Sequence, residues 1–197
     1  DCDDDLHLIK DYDWVIEVVI ERLDIKKSVF EKVDKYRKKC SLITSNTFGI
    51  SVEALIEGRS EDFQKHFCGT HFFNPPRYLQ LFEIIPTSKT SDEVLAFLDD
   101  YAARYLGKTP VLAKDTPAFI ANRIGTFSIM DLFNNVKGFD LTIPEIDKLT
   151  GTIIGRAKSA TFRTADIVGL DTLVHVANNI KETTNDEANA LFAIPDY

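Results

Sequence analysis

A histidine and a glutamate stand in two apolar stretches where neither residue type is expected. His71 lies in "CGTHFF" (68–73) and Glu83 in "LFEIIP" (81–86), and both stretches have the pattern of buried strands. A buried glutamate is costly unless it has a partner, and a histidine on the neighbouring strand is the simplest one. A carboxylate bonded to one ring nitrogen fixes the tautomer and makes the other nitrogen a better proton acceptor. The pair therefore predicts a general base, and a histidine with only a structural hydrogen bond is the alternative.

Other polar residues stand where further predicted strands end or where the following helices begin. In an open α/β sheet, ligands bind beyond the carboxyl ends of the strands. We therefore expect these side chains to line one crevice, with Asn122 one turn into the first helix that follows the sheet. For Asn46 and Thr47, helix caps and turns explain the residue types equally well. The set comprises Glu17, Glu21, Lys26, Ser45, Asn46, Thr47, Asn74 and Asn122.

Alternating strands and helices are predicted to position these residues. Apolar runs predict strands at 13–20, 41–47, 68–73, 81–86 and 109–115, the first of them covered on both faces. Helical periodicity predicts helices at 24–36, 50–57 and 90–107, and Thr90 with Glu93 fits a capping box at the start of the last. This alternation predicts an α/β fold with a parallel or mostly parallel sheet.

The pattern becomes purely helical after the last predicted strand. A long helix is predicted from Thr116 as N-cap, with Pro117 at its first position, and "TIPE" (142–145) fits a second capping box. The sequence therefore predicts two domains, an α/β domain over residues 1–115 and an all-helical domain over residues 116–197.

Composition argues against several classes of protein. The 197 residues carry 31 acidic and 23 basic side chains, and no basic stripe with interleaved aromatic residues indicates nucleic-acid binding. Three cysteines are too few and too unevenly spaced for a disulfide framework, so we expect a reducing compartment. No apolar run reaches the roughly 20 residues of a membrane span, and no signal peptide opens the chain. A cytoplasmic protein is the expectation.

Two motifs suggest other chemistry only weakly. "HFCGTH" places His66, Cys68 and His71 at near-metal spacing, but alternate residues of a strand face opposite ways and zinc needs more ligands. "GTIIGRAKS" (151–159) lacks the spacing of a phosphate-binding loop. The G-x-G-x-x-G dinucleotide motif is also absent, because no two of the nine glycines stand in a G-x-G relation. We expect no metal site.

The motifs, in their order, resemble the L-3-hydroxyacyl-CoA dehydrogenase family. The stretch from 155 to 171 is most similar to the dehydrogenase part of bacterial multifunctional β-oxidation proteins, which also carry an enoyl-CoA hydratase region. The resemblance implies the C-terminal half of a Rossmann-type domain followed by an all-helical domain. It also implies NAD-dependent oxidation of L-3-hydroxyacyl-CoA to 3-ketoacyl-CoA. The matching stretches are "VIEVVIERLDIKK", "SNT", "GTHFFNPP", "LFEIIP", "KDTPAFIANRIG" and "VGLDT".

The resemblance also implies roles for the catalytic residues and for partners. His71 would take the proton of the substrate's 3-hydroxyl group, and Glu83 would orient His71 and balance its charge. Asn122 would hold the oxygens of the acyl-CoA substrate near His71. Because the family pairs through its helical domain, a homodimer or an assembly with a thiolase partner is implied.

Five residues are expected around the cofactor and the substrate. Glu21, Lys26 and Asn74 match positions that contact NAD, and Asn46 lies in the loop beside the nicotinamide. Ser45, at the end of the second strand, is expected to bind the substrate.

The sequence departs from the family in two places. Phe48 replaces the serine that usually follows "SNT", and a phenyl ring cannot make the hydrogen bond of that hydroxyl. The glycine-rich first βαβ unit is expected before residue 1, and without it the pyrophosphate has no cradle. Two hypotheses therefore stand, a working dehydrogenase and a non-catalytic module that keeps the acyl-CoA and dimerisation surfaces.

Overall fold

The computed structural model describes residues 5–185 and 187–195, which form two compact units. The first unit ends at Phe119 and the second begins at Ile120. The first unit contains, in chain order, β1 (Trp14–Glu17), α1 (Leu23–Tyr36), β2 (Leu42–Ser45), α2 (Val52–Leu55), α3 (Glu61–Lys65), β3 (Phe67–Phe72), β4 (Leu81–Pro86), α4 (Asp92–Arg104) and β5 (Thr109–Leu112). The second unit contains α5 (Ala121–Val136), α6 (Ile143–Thr150), α7 (Phe162–Val168) and α8 (Leu170–Thr183).

The five strands form one sheet in the order β1-β2-β3-β4-β5. Strands β1, β2 and β3 run parallel, β4 is antiparallel to β3, and β5 is parallel to β4. The predicted mostly parallel sheet is therefore confirmed. In this register Glu17 lies opposite Ser45, and Ser45 lies opposite Gly69. The ends of β1, β2 and β3 consequently meet at one border of the sheet, here called the carboxyl edge, and His71 lies just beyond Gly69.

Apolar side chains cover both faces of this sheet. On one face the rings of Phe30, Phe63 and Phe67 pack together, with the Phe30 centroid 5.6 Å from Phe63 and 5.2 Å from Phe67. On the other face α4 buries Val94 and Leu98 against the strands. The sheet is thus fixed between helices, so the side chains at its carboxyl edge have a rigid support.

The first strand is more exposed than the sequence indicates. β1 ends at Glu17, near the end expected for the first strand, although the apolar run continues to residue 20. The expectation that this strand is covered on both faces is wrong. Ile16 is 45% exposed, so the described residues do not fully cover this face of β1.

The capping box predicted at the start of α4 is also wrong. The N-cap residue is Ser91 instead of Thr90. The Thr90 hydroxyl donates to the carbonyl oxygen of Phe67 at 2.7 Å and accepts from the backbone N–H of Thr87 at 2.8 Å. Thr90 therefore closes the turn before the helix, and a tertiary contact with β3 replaces the local cap.

The helix predicted from Thr116 begins later, at Ala121. Ala118 and Phe119 have φ angles of 59° and 49°, and this left-handed backbone cannot continue a right-handed helix. Asn122 is consequently the second residue of α5, and its predicted place one full turn into the helix is wrong.

The second unit is all-helical, as predicted. Its capping box at the start of α6 is confirmed, because Thr142 and Glu145 satisfy each other's backbone and side-chain groups. Helix α8 packs through Leu173, Ala177 and Ile180, which are buried. In the ranges that the structure describes, every helix falls short of the length and apolar character needed to cross a membrane.

Candidate active site

His71 and Glu83 are brought together by the pairing of β3 with β4. The two residues lie directly opposite each other in the antiparallel register. Nδ1 of His71 lies 2.6 Å from Oε2 of Glu83, and their side chains are 7% and 0% exposed. A carboxylate can only accept, so Nδ1 carries the hydrogen and Nε2 is the nitrogen that can receive a proton. The arrangement can therefore serve as a general base with a fixed ring orientation.

Two phenyl rings enclose the imidazole of His71. The ring centroid of Phe73 lies 4.4 Å away and that of Phe119 lies 5.9 Å away. Phe119 is buried, and its backbone is left-handed. Apolar rings lower the local dielectric constant, which strengthens the attraction between Glu83 and a protonated His71.

Asn46 connects the ends of all three parallel strands. Its side-chain oxygen accepts from the backbone N–H of Phe72 at 2.9 Å, and its own N–H donates to the carbonyl of Glu17 at 2.9 Å. The predicted cofactor residue Asn46 therefore lies beside the strand that carries His71, and its amide oxygen has a structural partner.

Three charged side chains form a buried network behind this edge, here called the Glu17–Lys26–Glu21 network. Nζ of Lys26 lies 2.8 and 3.0 Å from the carboxylate oxygens of Glu17 and 3.4 Å from Oε2 of Glu21. The side chains of Glu17, Lys26 and Glu21 are 1%, 1% and 12% exposed. Ser45 is also buried, and its hydroxyl donates to Glu17 at 2.5 Å. Lys26 and Ser45 were both expected to contact ligands, but in the structure both bond to Glu17 inside the protein.

Glu21 holds the segment that links β2 to α2. Its Oε1 accepts from the hydroxyl of Thr47 at 2.5 Å. The same oxygen accepts from the backbone N–H groups of Phe48, Gly49 and Ile50 at 3.1, 3.0 and 3.2 Å. A single carboxylate oxygen therefore fixes the conformation of residues 47–50, the segment in which Phe48 replaces the expected serine.

The remaining two predicted site residues lie elsewhere. Asn74 is exposed in the segment after β3 and precedes Pro75 across a cis peptide bond. Asn122 belongs to the second unit, in the first turn of α5.

Asp115 and the full role of Glu17 were missed by the sequence analysis. Asp115 accepts from the hydroxyl of Ser51 at 2.7 Å and from the N–H groups of Val52 and Glu53 at 3.1 and 3.0 Å. It thereby caps α2 and holds the far end of the segment that Glu21 fixes. For Glu17 a signal existed, since a carboxylate inside an apolar run needs a buried partner.

The histidines and the cysteine of "HFCGTH" do not converge. Cys68 packs on the face of the sheet opposite His71, and burial raises the pKa of its thiol to about 12. His66 precedes β3 at the other edge, where it lies near Cys40 and Asp62, with donor atoms within 4.8 Å of one another. A guanidinium nitrogen already lies 2.5 Å from the Asp62 carboxylate, so this group has the character of an ion-pair network.

Both units match models of one protein family. Residues 1–116 match the NAD-binding domain of 3-hydroxyacyl-CoA dehydrogenase, and residues 119–194 match the C-terminal domain of the same family. The sheet and its helices therefore correspond to an NAD-binding domain of the Rossmann type.

Relatives and solved structures agree with this match. A probable 3-hydroxyacyl-CoA dehydrogenase of Bacillus subtilis is 49% identical over 99% of this chain and 25% of the relative. A probable 3-hydroxyacyl-CoA dehydrogenase of Deinococcus radiodurans is 51% identical over 94% of this chain and 54% of the relative. The crystal structure of (S)-3-hydroxybutyryl-CoA dehydrogenase from Ralstonia eutropha is 29% identical, with a TM-score of 0.82 over 93% of this chain and 63% of that one. The chain spans between a quarter and about half of the two curated relatives, and it belongs to the 3-hydroxyacyl-CoA dehydrogenase family.

Proposed function

We propose that this chain carries the catalytic base of an NAD-dependent dehydrogenase that oxidises L-3-hydroxyacyl-CoA to 3-ketoacyl-CoA in fatty-acid β-oxidation. The observation that carries the proposal is the buried His71–Glu83 pair at the carboxyl edge, 2.6 Å apart. Family membership supports the cofactor and the class of substrate. The pair supports the proton transfer that such an oxidation requires.

The protein's part in the reaction is the removal and storage of one proton. Nε2 of His71 accepts the proton of the 3-hydroxyl group while the hydride leaves C3. Glu83 stays ionised and stabilises the imidazolium that forms, in the way that the aspartate of a catalytic triad supports its histidine. Asn122 would hold the substrate oxygens through its side-chain amide. A well-placed general base typically contributes about 10²–10⁴-fold to the rate.

The residues present fit the nicotinamide end of NAD, which supplies the hydride acceptor when bound. The carboxyl edge of an open α/β sheet is the usual place for such a ligand, and His71, Asn46 and residues 47–50 border it. Asn74 is exposed close behind β3 and would contact the cofactor directly. Glu21 would act on NAD through the loop that it holds, and Lys26 would act through Glu21. No residue is assigned to the pyrophosphate, since the N–H groups of 48–50 already bind Glu21.

A second candidate function is acyl-CoA binding without catalysis. Phe48 favours it, because a partly buried ring stands where the family usually has a hydroxyl group beside cofactor and substrate. Loss of one hydrogen bond that stabilises the transition state can cost on the order of 10²-fold in rate.

We further propose that the chain works in a larger assembly, either as a homodimer or as one region of a multifunctional protein with hydratase and thiolase parts. The second unit supports this proposal with an apolar cavity of about 660 Å³, bordered by Phe139, Ile143 and Leu170, which are more than half exposed.

NADH formation from L-3-hydroxybutyryl-CoA and NAD⁺ tests the proposed function. We expect turnover from the parent protein, a loss of about 10²-fold or more in His71→Ala, and nearly full activity in His66→Ala. His66 is the matched control, because it is a half-buried histidine at the opposite edge of the same sheet. Equal rates in the parent and His71→Ala would refute the assignment of the base. An inactive parent that binds acetoacetyl-CoA in calorimetry would establish the second candidate instead.

A further inference from the structure

The Glu17–Lys26–Glu21 network is too costly to be explained by stability alone. Two carboxylates share one ammonium group, and the side chains of Glu17 and Lys26 are 1% exposed. Removing charges from water costs more than their attraction returns unless the geometry is excellent, and apolar replacements of buried ion pairs often stabilise proteins. What such a network can supply is fixed geometry, so the question is which atoms it fixes.

The network connects three elements to one loop. Glu17 ends β1, Lys26 lies on α1, and the Ser45 hydroxyl that donates to Glu17 ends β2. Glu17 also accepts from the backbone N–H of Val19 at 2.6 Å, which holds the turn that leads to Glu21. Glu17 therefore holds the ammonium group of Lys26, and Lys26 in turn holds the carboxylate of Glu21.

The held loop lies next to the proposed base. Asn46, the first residue of the loop, accepts from the N–H of Phe72, and Phe72 directly follows His71 in the chain. Residues 47–50 then donate hydrogen bonds to one oxygen of Glu21. A shift of Glu21 would move this loop while leaving the contact between His71 and Glu83 in place.

We propose that Glu17 is a positioning residue of the dehydrogenase reaction, acting on the 46–50 loop through Lys26 and Glu21. This inference rests on the proposed function. Glu17 fixes Lys26, Lys26 fixes Glu21, and Glu21 presents Phe48 and its neighbours to the nicotinamide side of the active site. Preorganised loops of this kind reduce the reorganisation needed in the transition state.

The test uses a double variant that removes the buried charges but keeps their volume, Glu17→Gln with Lys26→Met. We expect a melting temperature close to that of the parent, because a neutral pair has no desolvation cost. Amide hydrogen exchange at residues 48–50 should rise about tenfold or more in the absence of ligand. Turnover should fall about tenfold or more, with weaker NAD⁺ binding and an unchanged pH profile, since His71 and Glu83 are intact.

The matched control is Lys27→Met with Glu57→Gln, which removes another ion pair made by α1. Lys27 and Glu57 are 2.6 Å apart, with side chains 33% and 68% exposed. This variant should leave loop exchange and turnover unchanged. If the buried double variant does not fold, Glu21→Gln replaces it, since Glu21 is 12% exposed and Glu17 still neutralises Lys26.

Two results would overturn the inference. One is unchanged exchange at residues 48–50 in the double variant, and the other is faster exchange with unchanged turnover and NAD⁺ binding. An inactive parent would instead refute the proposed function, and the exchange and NAD⁺-binding measurements would still decide whether the network positions the loop for the cofactor.

Discussion

At the scale of single residues, charge balance explains why His71 needs Glu83. During the reaction the imidazole would gain a proton in a pocket enclosed by Phe73 and Phe119, where an isolated positive charge is poorly solvated. Glu83 is fully buried and lies 2.6 Å from Nδ1, so its negative charge compensates the imidazolium at the moment of proton transfer. The glutamate therefore acts on the transition state more than on substrate binding.

Glu83→Gln tests this argument because glutamine keeps the size of the side chain and removes its charge. We expect kcat to fall about 10²-fold or more, with a small change in the KM for the acyl-CoA. Steady-state NADH formation measures both constants. Glu93→Gln on α4 is the control, an exposed carboxylate whose removal should leave both unchanged. Full kcat in Glu83→Gln would contradict the charge-balance argument.

The sequence predicts the hydrogen-bond partner of a buried polar residue only when one obvious candidate lies on a neighbouring element. His71 and Glu83 were predictable as a pair because each is a polar residue in an apolar strand, and the strands follow each other in the chain. The contacts of Glu17 were not, because Lys26 and Ser45 come from two other elements. Several cations lie near Glu17 in the sequence, and only packing decides which one is buried with it.

At the scale of elements, close packing between α2 and β3 holds the edge that carries the site. A Cβ added at Gly69 would lie 2.6 Å from Cγ1 of Val52 and 3.0 Å from Cβ of Ile85. Gly69 is thus required by the approach of a helix on one side and a strand on the other. Helix α2 in turn follows the 46–50 loop, so a displacement here would reach the site.

Gly69→Ala should destabilise the first unit by about 1–3 kcal/mol, because the added methyl group overpacks a rigid contact. Gly125→Ala is the matched control, since no heavy atom lies within 4 Å of a Cβ built there. In the middle of α5 this substitution should be neutral or stabilise by about 0.5–1 kcal/mol. Urea unfolding of the three proteins measures both effects. Equal stability of Gly69→Ala and the parent would show that α2 can move away.

The capping box of α6 predicts a pH dependence in the second unit. The hydroxyl of Thr142, and then its backbone N–H, hold the pKa of Glu145 below the ordinary value of 4.5. A lowered pKa in the folded state adds stability above the unfolded pKa, and this stability disappears as the pH falls through the folded value. Glu145→Gln should therefore lower the melting temperature near neutral pH and have no effect in strong acid.

Thermal unfolding followed by circular dichroism at several pH values checks this expectation. Glu182→Gln on α8, another exposed carboxylate of the second unit, controls for the general effect of a lost charge. A constant difference between parent and Glu145→Gln at every pH would show that the charge of Glu145 has no part in the cap.

Helices and strands could be predicted where the local sequence pattern determines them. Their ends could not be predicted where a tertiary contact or an unusual backbone conformation determines them. The strand and helix series followed from apolar periodicity, and the box at Thr142 from local hydrogen bonds. The capping box predicted at Thr90 does not form, because the Thr90 hydroxyl donates to a backbone carbonyl of β3 instead. The predicted start of α5 was wrong because Ala118 and Phe119 adopt a left-handed backbone that non-glycine residues rarely use.

At the scale of the whole molecule, the two units contribute different parts of the proposed function. The first unit holds the proposed base, its orienting carboxylate and the positioned loop. In the proposed function the second unit would contribute Asn122, and this unit also exposes several large apolar side chains. Ile167 and Leu170 are 68% and 58% exposed, and Phe139 is 66% exposed. Monomeric soluble proteins rarely expose contiguous apolar patches larger than about a few hundred Å², so these exposed side chains support the proposed association.

We therefore expect light scattering to give about twice the chain mass of 22.3 kDa at micromolar concentration. Leu170→Glu should shift the protein toward the monomer, because a carboxylate at the border of the apolar cavity would lose its hydration in the interface. At the first position of α8 a glutamate is favourable for the helix itself, so folding should not suffer. His175→Glu, an exposed position on the same helix, makes the same change in charge and should leave the mass unchanged. A parent that stays monomeric at every concentration would mean that the apolar surface is covered by another chain or another region of the same protein.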